Sequence, residues 1–326
     1  MLLEKETTMM TEPIQRMPEP VQRIPERLQT IPAQLPRLRE GDWKVLIDRI
    51  NEKKCTPILG TGMRSSVLTL RSKIAQEWAR DEGYPLEDSS NLARVARFIS
   101  LTYDPDYTRR KLVEQMATIT PPNYKDPDNP YKILADLPLP VYITTGYDDF
   151  MFQALKQADK DVKSEVCRWN KLLTDSPSLF SNGYTPSPAN PVVFHFHGVT
   201  DNLDSLVLTE DDYFEFLMNV SKDRTLIPSR IEKAMTGSSL LLLGYRLSDW
   251  DFRVMFHLLA SYLEIATSRT HVAVQIAPIA DEAPEDQRKR VQGYLDLYFE
   301  KYKKLVIRIY WGTCREFLHE LRDRRK

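Results

Sequence analysis

The chain has 326 residues, 42% of them hydrophobic, and its 45 Lys and Arg against 46 Asp and Glu leave a formal net charge of -1. It is long enough to bury a sizeable core, and its balanced charge gives no general attraction to nucleic acid or to an anionic membrane. Its longest apolar runs, such as SLLLLG at Ser239, fall far short of the roughly 18 to 20 residues that span a bilayer, and no basic-then-apolar signal opens the chain.

Residues 1–40 differ from the rest, with Pro13, Pro18, Pro20, Pro25, Pro32 and Pro36 and no aromatic residue. They are expected to be disordered, because nothing in them can nucleate a core. Within them IQRMPEP, VQRIPER and LQTIPAQ follow one another as seven-residue units. An extended spacer and a short docking segment both account for these units.

From Trp43 onward, apolar runs of four to seven residues alternate with amphipathic segments. This is the pattern of strands alternating with helices, and it predicts an α/β fold: a Rossmann-like parallel sheet with helices on both faces. One domain over residues 41–326 is expected. The first predicted strand, Thr56–Leu59, runs into Gly60-Thr61-Gly62. Residues 65–138 are too long for a simple crossover and read as a helical insertion. The second strand, Val141–Thr145, runs into Gly146-Tyr147-Asp148-Asp149, and residues 151–190 read as further insertion. Val192–His197 follows and ends at Gly198; then comes Ser239–Leu243, ending at Gly244-Tyr245-Arg246; His271–Ile276 and Leu305–Tyr310 close the sheet. TEDD at Thr209, SDWD at Ser248 and TCRE at Thr313 each set a hydroxyl three residues before a carboxylate, predicting capped helix starts. The basic end, RDRRK, reads as a solvated helix terminus or as a contact.

In an open parallel sheet, ligands bind outside the carboxyl ends of the strands, where loops converge and helix amino termini point inward. Small or polar residues recur at that end here: Gly60, Thr61 and Gly62; Thr144, Thr145 and Gly146; His197; Gly244, Tyr245 and Arg246. The Gly60-Thr61-Gly62 pair is as readily a structural turn as a phosphate cradle. The third glycine of the dinucleotide fingerprint is missing, since Ser65 takes its place. In VVFHFHG the histidines alternate, which would put His195 and His197 on one strand face and Phe194 and Phe196 on the other. His197 then reads as a proton acceptor at a strand end, as one half of a metal face, or as a hydrogen-bonded core histidine. Cys55, Cys167 and Cys314 are too scattered for a disulfide framework or a four-cysteine zinc module, which points to a reducing cytoplasm and no metal.

Taken together, PILGTG, YITTGYDDF, VVFHFHG, SLVLTEDDYFEFL and LLLLGYRLSDWDFRV resemble, in order and spacing, the bacterial sirtuin-like family, in its zinc-free, NAD-consuming effector branch. The likeness covers roughly residues 43–325. It implies that Gly60 and Gly62 let backbone amides approach the NAD pyrophosphate and that Gly244 lies under the adenosine half. It also implies that Asp148 recognises the nicotinamide carboxamide and that His197 is the base acting on the nicotinamide ribose. The implied chemistry is cleavage of the nicotinamide–ribose bond with water as acceptor, in a bacterial antiviral defence setting with a sensor partner or homo-oligomerisation as trigger.

Two positions depart from the family pattern. Where the family has an asparagine that holds the ribose and the attacking water, this chain has Gly146, with no side chain to do either. The glycine loop continues as Met63-Arg64, bulkier and more charged than the family's small residues. Loss of one orienting group costs about 100 to 1000-fold in rate, by analogy with a single oxyanion donor, but need not abolish binding. Three readings follow: an NAD hydrolase, a module that binds NAD or an ADP-ribosyl ligand without turnover, and an adaptor with a vestigial pocket.

Overall fold

A computed structural model of the chain describes residues 38–64, 70–175, 177–245, 250–263, 270–275, 286, 290, 291, 293, 294, 297, 298 and 306–326. The proline-rich repeats, the SDWD start at Ser248 and Ser65 lie outside them.

Among the described residues seven strands form one sheet in the order β3-β4-β2-β1-β5-β6-β7, and each of their pairings is parallel. They are β1 (Cys55–Leu59), β2 (Val141–Thr144), β3 (Lys163–Val166), β4 (Val192–His195), β5 (Ser239–Tyr245), β6 (Thr270–Gln275) and β7 (Val306–Trp311). The helices, in chain order, are α1 (Glu40–Asn51), α2 (Leu70–Asp81), α3 (Leu92–Thr102), α4 (Pro105–Ala117), α5 (Pro130–Ala135), α6 (Phe150–Gln157), α7 (Lys171–Thr174), α8 (Glu210–Lys222), α9 (Ser229–Gly237), α10 (Trp250–Leu263) and α11 (Cys314–Arg325).

Both faces of the sheet are buried, and the side-chain period of two sorts them cleanly. On β5, Leu240 and Leu242 join one core with Phe216 of α8, Met235 of α9 and Phe256 of α10. Leu241 and Leu243 join the other with Trp43 of α1, Leu134 of α5, Leu155 of α6 and Phe317 of α11. A third core, at the side of the sheet, ties Trp78 of α2, Val95 and Ile99 of α3 and Leu112 of α4 to Tyr147, Leu206 and Leu208. Between β1 and β2 the described residues form helices α2 to α5. The stretch 151–190 does not act as a helical insertion alone, because it also carries the edge strand β3.

The hydroxyls of Thr209 and Thr313 accept from the backbone N–H groups of Asp212 and Glu316, and both capping boxes are closed by the reciprocal carboxylate. The basic carboxyl end is engaged within the fold: Arg322 pairs with Asp128 at 2.8 Å and Arg324 with Glu40 at 2.8 Å. Among the described residues no helix is long and apolar enough to cross a membrane.

The chain grows from β1 outward to β2 on one side, then returns to add β5, β6 and β7 on the other. The direction reverses between β1 and β5, and in open sheets of this kind the ligand crevice is the one outside the carboxyl ends of the two strands at the reversal.

Candidate functional site

Four loops meet at that crevice through main-chain bonds that continue the ladder past the strands. The Gly60 N–H donates to the Leu243 carbonyl at 2.7 Å, joining β1 to β5. The Thr145 N–H donates to the Leu59 carbonyl at 2.9 Å, and the Phe196 N–H to the Thr144 carbonyl at 2.9 Å, joining β2 to β1 and β4 to β2. Beyond the strand ends, Thr200 N–H reaches the Tyr147 carbonyl at 3.1 Å, linking the loops after β4 and β2.

Glycine at 60 and 244 lets the backbones touch. A Cβ on Gly60 would stand 2.6 Å from the Gly244 carbonyl oxygen and 2.8 Å from the Tyr245 ring. Gly244 has φ +74, and a Cβ there would meet the Met63 nitrogen at 2.6 Å and the Gly62 carbonyl carbon at 2.9 Å. The short 3₁₀ turn Thr61–Arg64 is therefore laid directly on the end of β5, with Gly62 and Met63 buried and Thr61 partly exposed.

After β2, the Thr144 hydroxyl accepts from the Gly146 N–H at 3.0 Å. The Thr145 hydroxyl donates to the Leu59 carbonyl at 3.3 Å and lies 3.0 Å from the Tyr245 hydroxyl. Gly146 is buried, and its φ is outside the left-handed region. Its missing Cβ would sit 3.0 Å from Asp148 Oδ2, so the Asp148 carboxylate lies over the bare glycine. Asp148 Oδ1 accepts from the Phe150 N–H at 3.2 Å, which anchors that carboxylate at the start of α6.

His197 is fully buried, and neither Nδ1 nor Nε2 has a hydrogen-bond partner. Its ring meets those of Tyr213 and Phe216 edge-on, at 5.1 and 5.3 Å between centroids. Its carbonyl accepts from the Val207 N–H at 3.0 Å, while the Tyr147 hydroxyl donates to the Val207 carbonyl at 2.7 Å. Burial first, and then the charge of Arg71, push the His197 imidazole well below its ordinary pKa, so it is held neutral. His195 is likewise buried, and burial lowers its pKa to about 4.

The strict alternation expected of VVFHFHG stops at the end of the strand. β4 ends at His195, and Phe196 and His197 both reach the Phe216 ring, at 6.2 and 5.3 Å. The reason is Gly198, whose φ of +84 turns the chain against Ser205. Among the described residues no group of three or more His, Cys, Asp or Glu could hold a metal ion.

The structure thus brings Gly60, Thr61, Gly62, Thr144, Thr145, Gly146, Asp148, His197, Gly244 and Tyr245 to one end of the sheet. Arg246 and the side chain of Arg64 lie outside the described residues. Sequence reasoning missed Arg71 and Tyr213. Arg71 Nη2 donates to the Thr145 carbonyl at 2.6 Å, Nη1 donates to the Tyr213 hydroxyl, and the guanidinium lies 4.3 Å from the centre of the Tyr147 ring. A signal was available: Arg71 falls in phase with Ile74, Ala75, Trp78 and Ala79, placing a charge on the apolar stripe of α2.

A protein-family profile described as SIR2-like domain matches residues 140–304. The chain is 25% identical over 119 residues to the NAD(+) hydrolase ThsA of Enterococcus faecium, a match that covers 36% of this chain and 22% of that protein. It is 21% identical over 216 residues to the NAD(+) hydrolase ThsA of Acinetobacter baumannii, covering 64% of this chain and 41% of that protein. A third match, 28% over 130 residues, is to the tRNA-splicing ligase RtcB of Methanocaldococcus jannaschii and covers 35% of this chain and 13% of that protein. The matches therefore span well under two thirds of the length of these relatives.

Proposed function

The chain belongs to the SIR2-like domain family, and from that premise we propose that it binds NAD across the crevice between β1 and β5 and cleaves it to nicotinamide and ADP-ribose. The observation that carries this reading is His197, a neutral imidazole with both nitrogens unbonded, buried where the loops after β2 and β4 are tied together. A buried polar group without a partner costs roughly 1–3 kcal/mol. A substrate hydroxyl is the partner that would remove that cost.

In this reading the close approach of Gly60, Gly62 and Gly244 gives the pyrophosphate side-chain-free backbone to lie against. Asp148 takes the amide of nicotinamide. His197 accepts a proton from the nicotinamide ribose, which favours the cation developing at the anomeric carbon as the bond to nicotinamide breaks. Water adds to that carbon, so NAD and water give nicotinamide, ADP-ribose and one proton. NAD-hydrolysing activity in a cytoplasmic bacterial defence effector, triggered by a sensor partner or by self-association, extends the proposal; the likeness to two NAD(+) hydrolases supports its enzymatic part.

A second reading, NAD binding without turnover, is favoured by one observation: at position 146 there is no side chain to orient the ribose or water. Calorimetry with NAD, followed by chromatography for released nicotinamide, separates the readings. Binding with release supports the hydrolase; binding alone supports the second reading; no binding removes both.

A further inference from the structure

Arg71, in the first turn of α2, is only 8% exposed. A guanidinium is seldom taken out of water unless its donors and charge are met elsewhere. Here Nη2 donates to the Thr145 carbonyl and Nη1 to the Tyr213 hydroxyl, while the charge lies against the face of the Tyr147 ring. A carbonyl dipole, a hydroxyl oxygen and a π face form a cradle for a flat, delocalised cation: arginine meets the two oxygens with N–H groups, and a pyridinium would meet them with its charge and its polarised C–H edge. The cradle shares the Tyr213 ring with His197 as a common wall.

The oxidised nicotinamide ring is also a flat, delocalised cation, and it is bonded to the ribose on which His197 would act. Two like charges cannot occupy one buried cradle, because their repulsion is hardly screened there. Resting on the NAD reading above, we infer that Arg71 is an internal competitor for nicotinamide. Its guanidinium fills a cation cradle of Thr145, Tyr147 and Tyr213 beside His197, and the pyridinium takes that cradle over when Arg71 withdraws. The uncharged ring of reduced NADH has no electrostatic claim on the cradle, so the same three groups favour the oxidised dinucleotide.

The test uses the full chain, with Arg71→Ala and the longer Arg71→Met as variants. The first measurement contains no dinucleotide: carbethoxylation of His197 by diethyl pyrocarbonate, mapped by mass spectrometry, with buried His195 as the internal sign of an intact fold. His197 is expected to be protected in the unaltered chain and to react about tenfold faster in both variants while His195 stays protected, the gain that follows when an occluded state loses its hold. The second is calorimetry with NAD+ and with NADH. Removing Arg71 should tighten NAD+ by about tenfold and leave NADH unchanged, and adding Tyr147→Leu should take the gain away.

If Arg71→Ala also makes His195 reactive, Arg71→Met decides. His197 reacting no faster with His195 protected, or NAD+ binding weaker in the variants, overturns the competitor alone. Exposure of His197 with no NAD+ binding by the unaltered chain or either variant overturns the NAD reading, and the competitor with it.

Discussion

The hydroxyls of Thr145 and Tyr245 lie 3.0 Å apart, tying the end of β2 to the end of β5 across β1. Because the Thr145 hydroxyl donates to the Leu59 carbonyl, it accepts from Tyr245. Tyr245→Phe removes that donor and leaves Thr145 still bonded. It is expected to cost about 1 kcal/mol in urea unfolding, the net worth of one ordinary hydrogen bond. The same variant should weaken NAD binding, since the crevice loses its cross-sheet tie; an unchanged dissociation constant would place the nucleotide elsewhere.

Stability should fall on mild acidification. His195 has its pKa lowered to about 4, and His197 lies well below its ordinary value, both chiefly through burial. Between about pH 6.5 and 4 the unfolded chain takes up protons that the folded chain refuses, so folding weakens as pH falls through that window and is undisturbed above it. Each such histidine contributes a slope approaching about 1.4 kcal/mol per pH unit. Urea midpoints at pH 7 and pH 5 measure this. His195→Gln should shrink the difference between the two midpoints, and an equal difference in that variant would assign the effect to other groups.

The parts of the fold legible in the sequence are those where the side-chain period and burial agree. β1, β2, β4 and β5 are short apolar runs because both sheet faces are covered, and the glycines that end them follow from the close approach at the crevice. β3 was illegible because it is an edge strand: Lys163, Ser164 and Glu165 face partly to water, and only pairing with Val192 to His195 makes it a strand. The turn at His197 was hidden because alternation is a property of a strand, and the strand ends two residues earlier. Arg71 was hidden because its role depends on Thr145, Tyr147 and Tyr213, all distant in sequence, although its place on the apolar stripe of α2 gave it away in principle.

The glycine contact at the crevice should be intolerant of a methyl group. Gly244→Ala forces a left-handed residue to carry a Cβ, costing roughly 1–2 kcal/mol, and drives that carbon onto the Met63 amide. A melting midpoint lower by several degrees and loss of NAD binding are expected. Gly237→Ala is the control: it is at the end of α9, has nothing nearer than Lys233 Cγ at 3.9 Å, and should leave the midpoint unchanged or slightly higher.

The three thiols should be silent in the folded chain. Cys55 and Cys314 are buried, which pushes each up to about 12, and burial raises Cys167 as well. A thiolate is the reactive form, so a disulfide reagent should titrate no cysteine in native protein and all three after denaturation. Reaction of one thiol before unfolding would reveal a local opening.

Gly146→Asn is expected to fold and to raise NAD hydrolysis. Its φ lies outside the left-handed region, so asparagine meets no backbone penalty there. The new Cβ would stand 3.0 Å from Asp148 Oδ2 and 3.3 Å from the Thr144 hydroxyl, so both side chains must give by a few tenths of an ångström. The amide supplies a donor and an acceptor where the glycine supplies neither. If those groups orient ribose and water, nicotinamide release should rise by about 100-fold or more. His197→Ala in the Gly146→Asn background should abolish the gain, because an oriented ribose still needs a proton acceptor. A thermal melt within a few degrees of the unaltered chain checks the fold. Equal rates for the glycine and asparagine forms would show that position 146 does not limit turnover, and would remove the observation on which binding without cleavage rests.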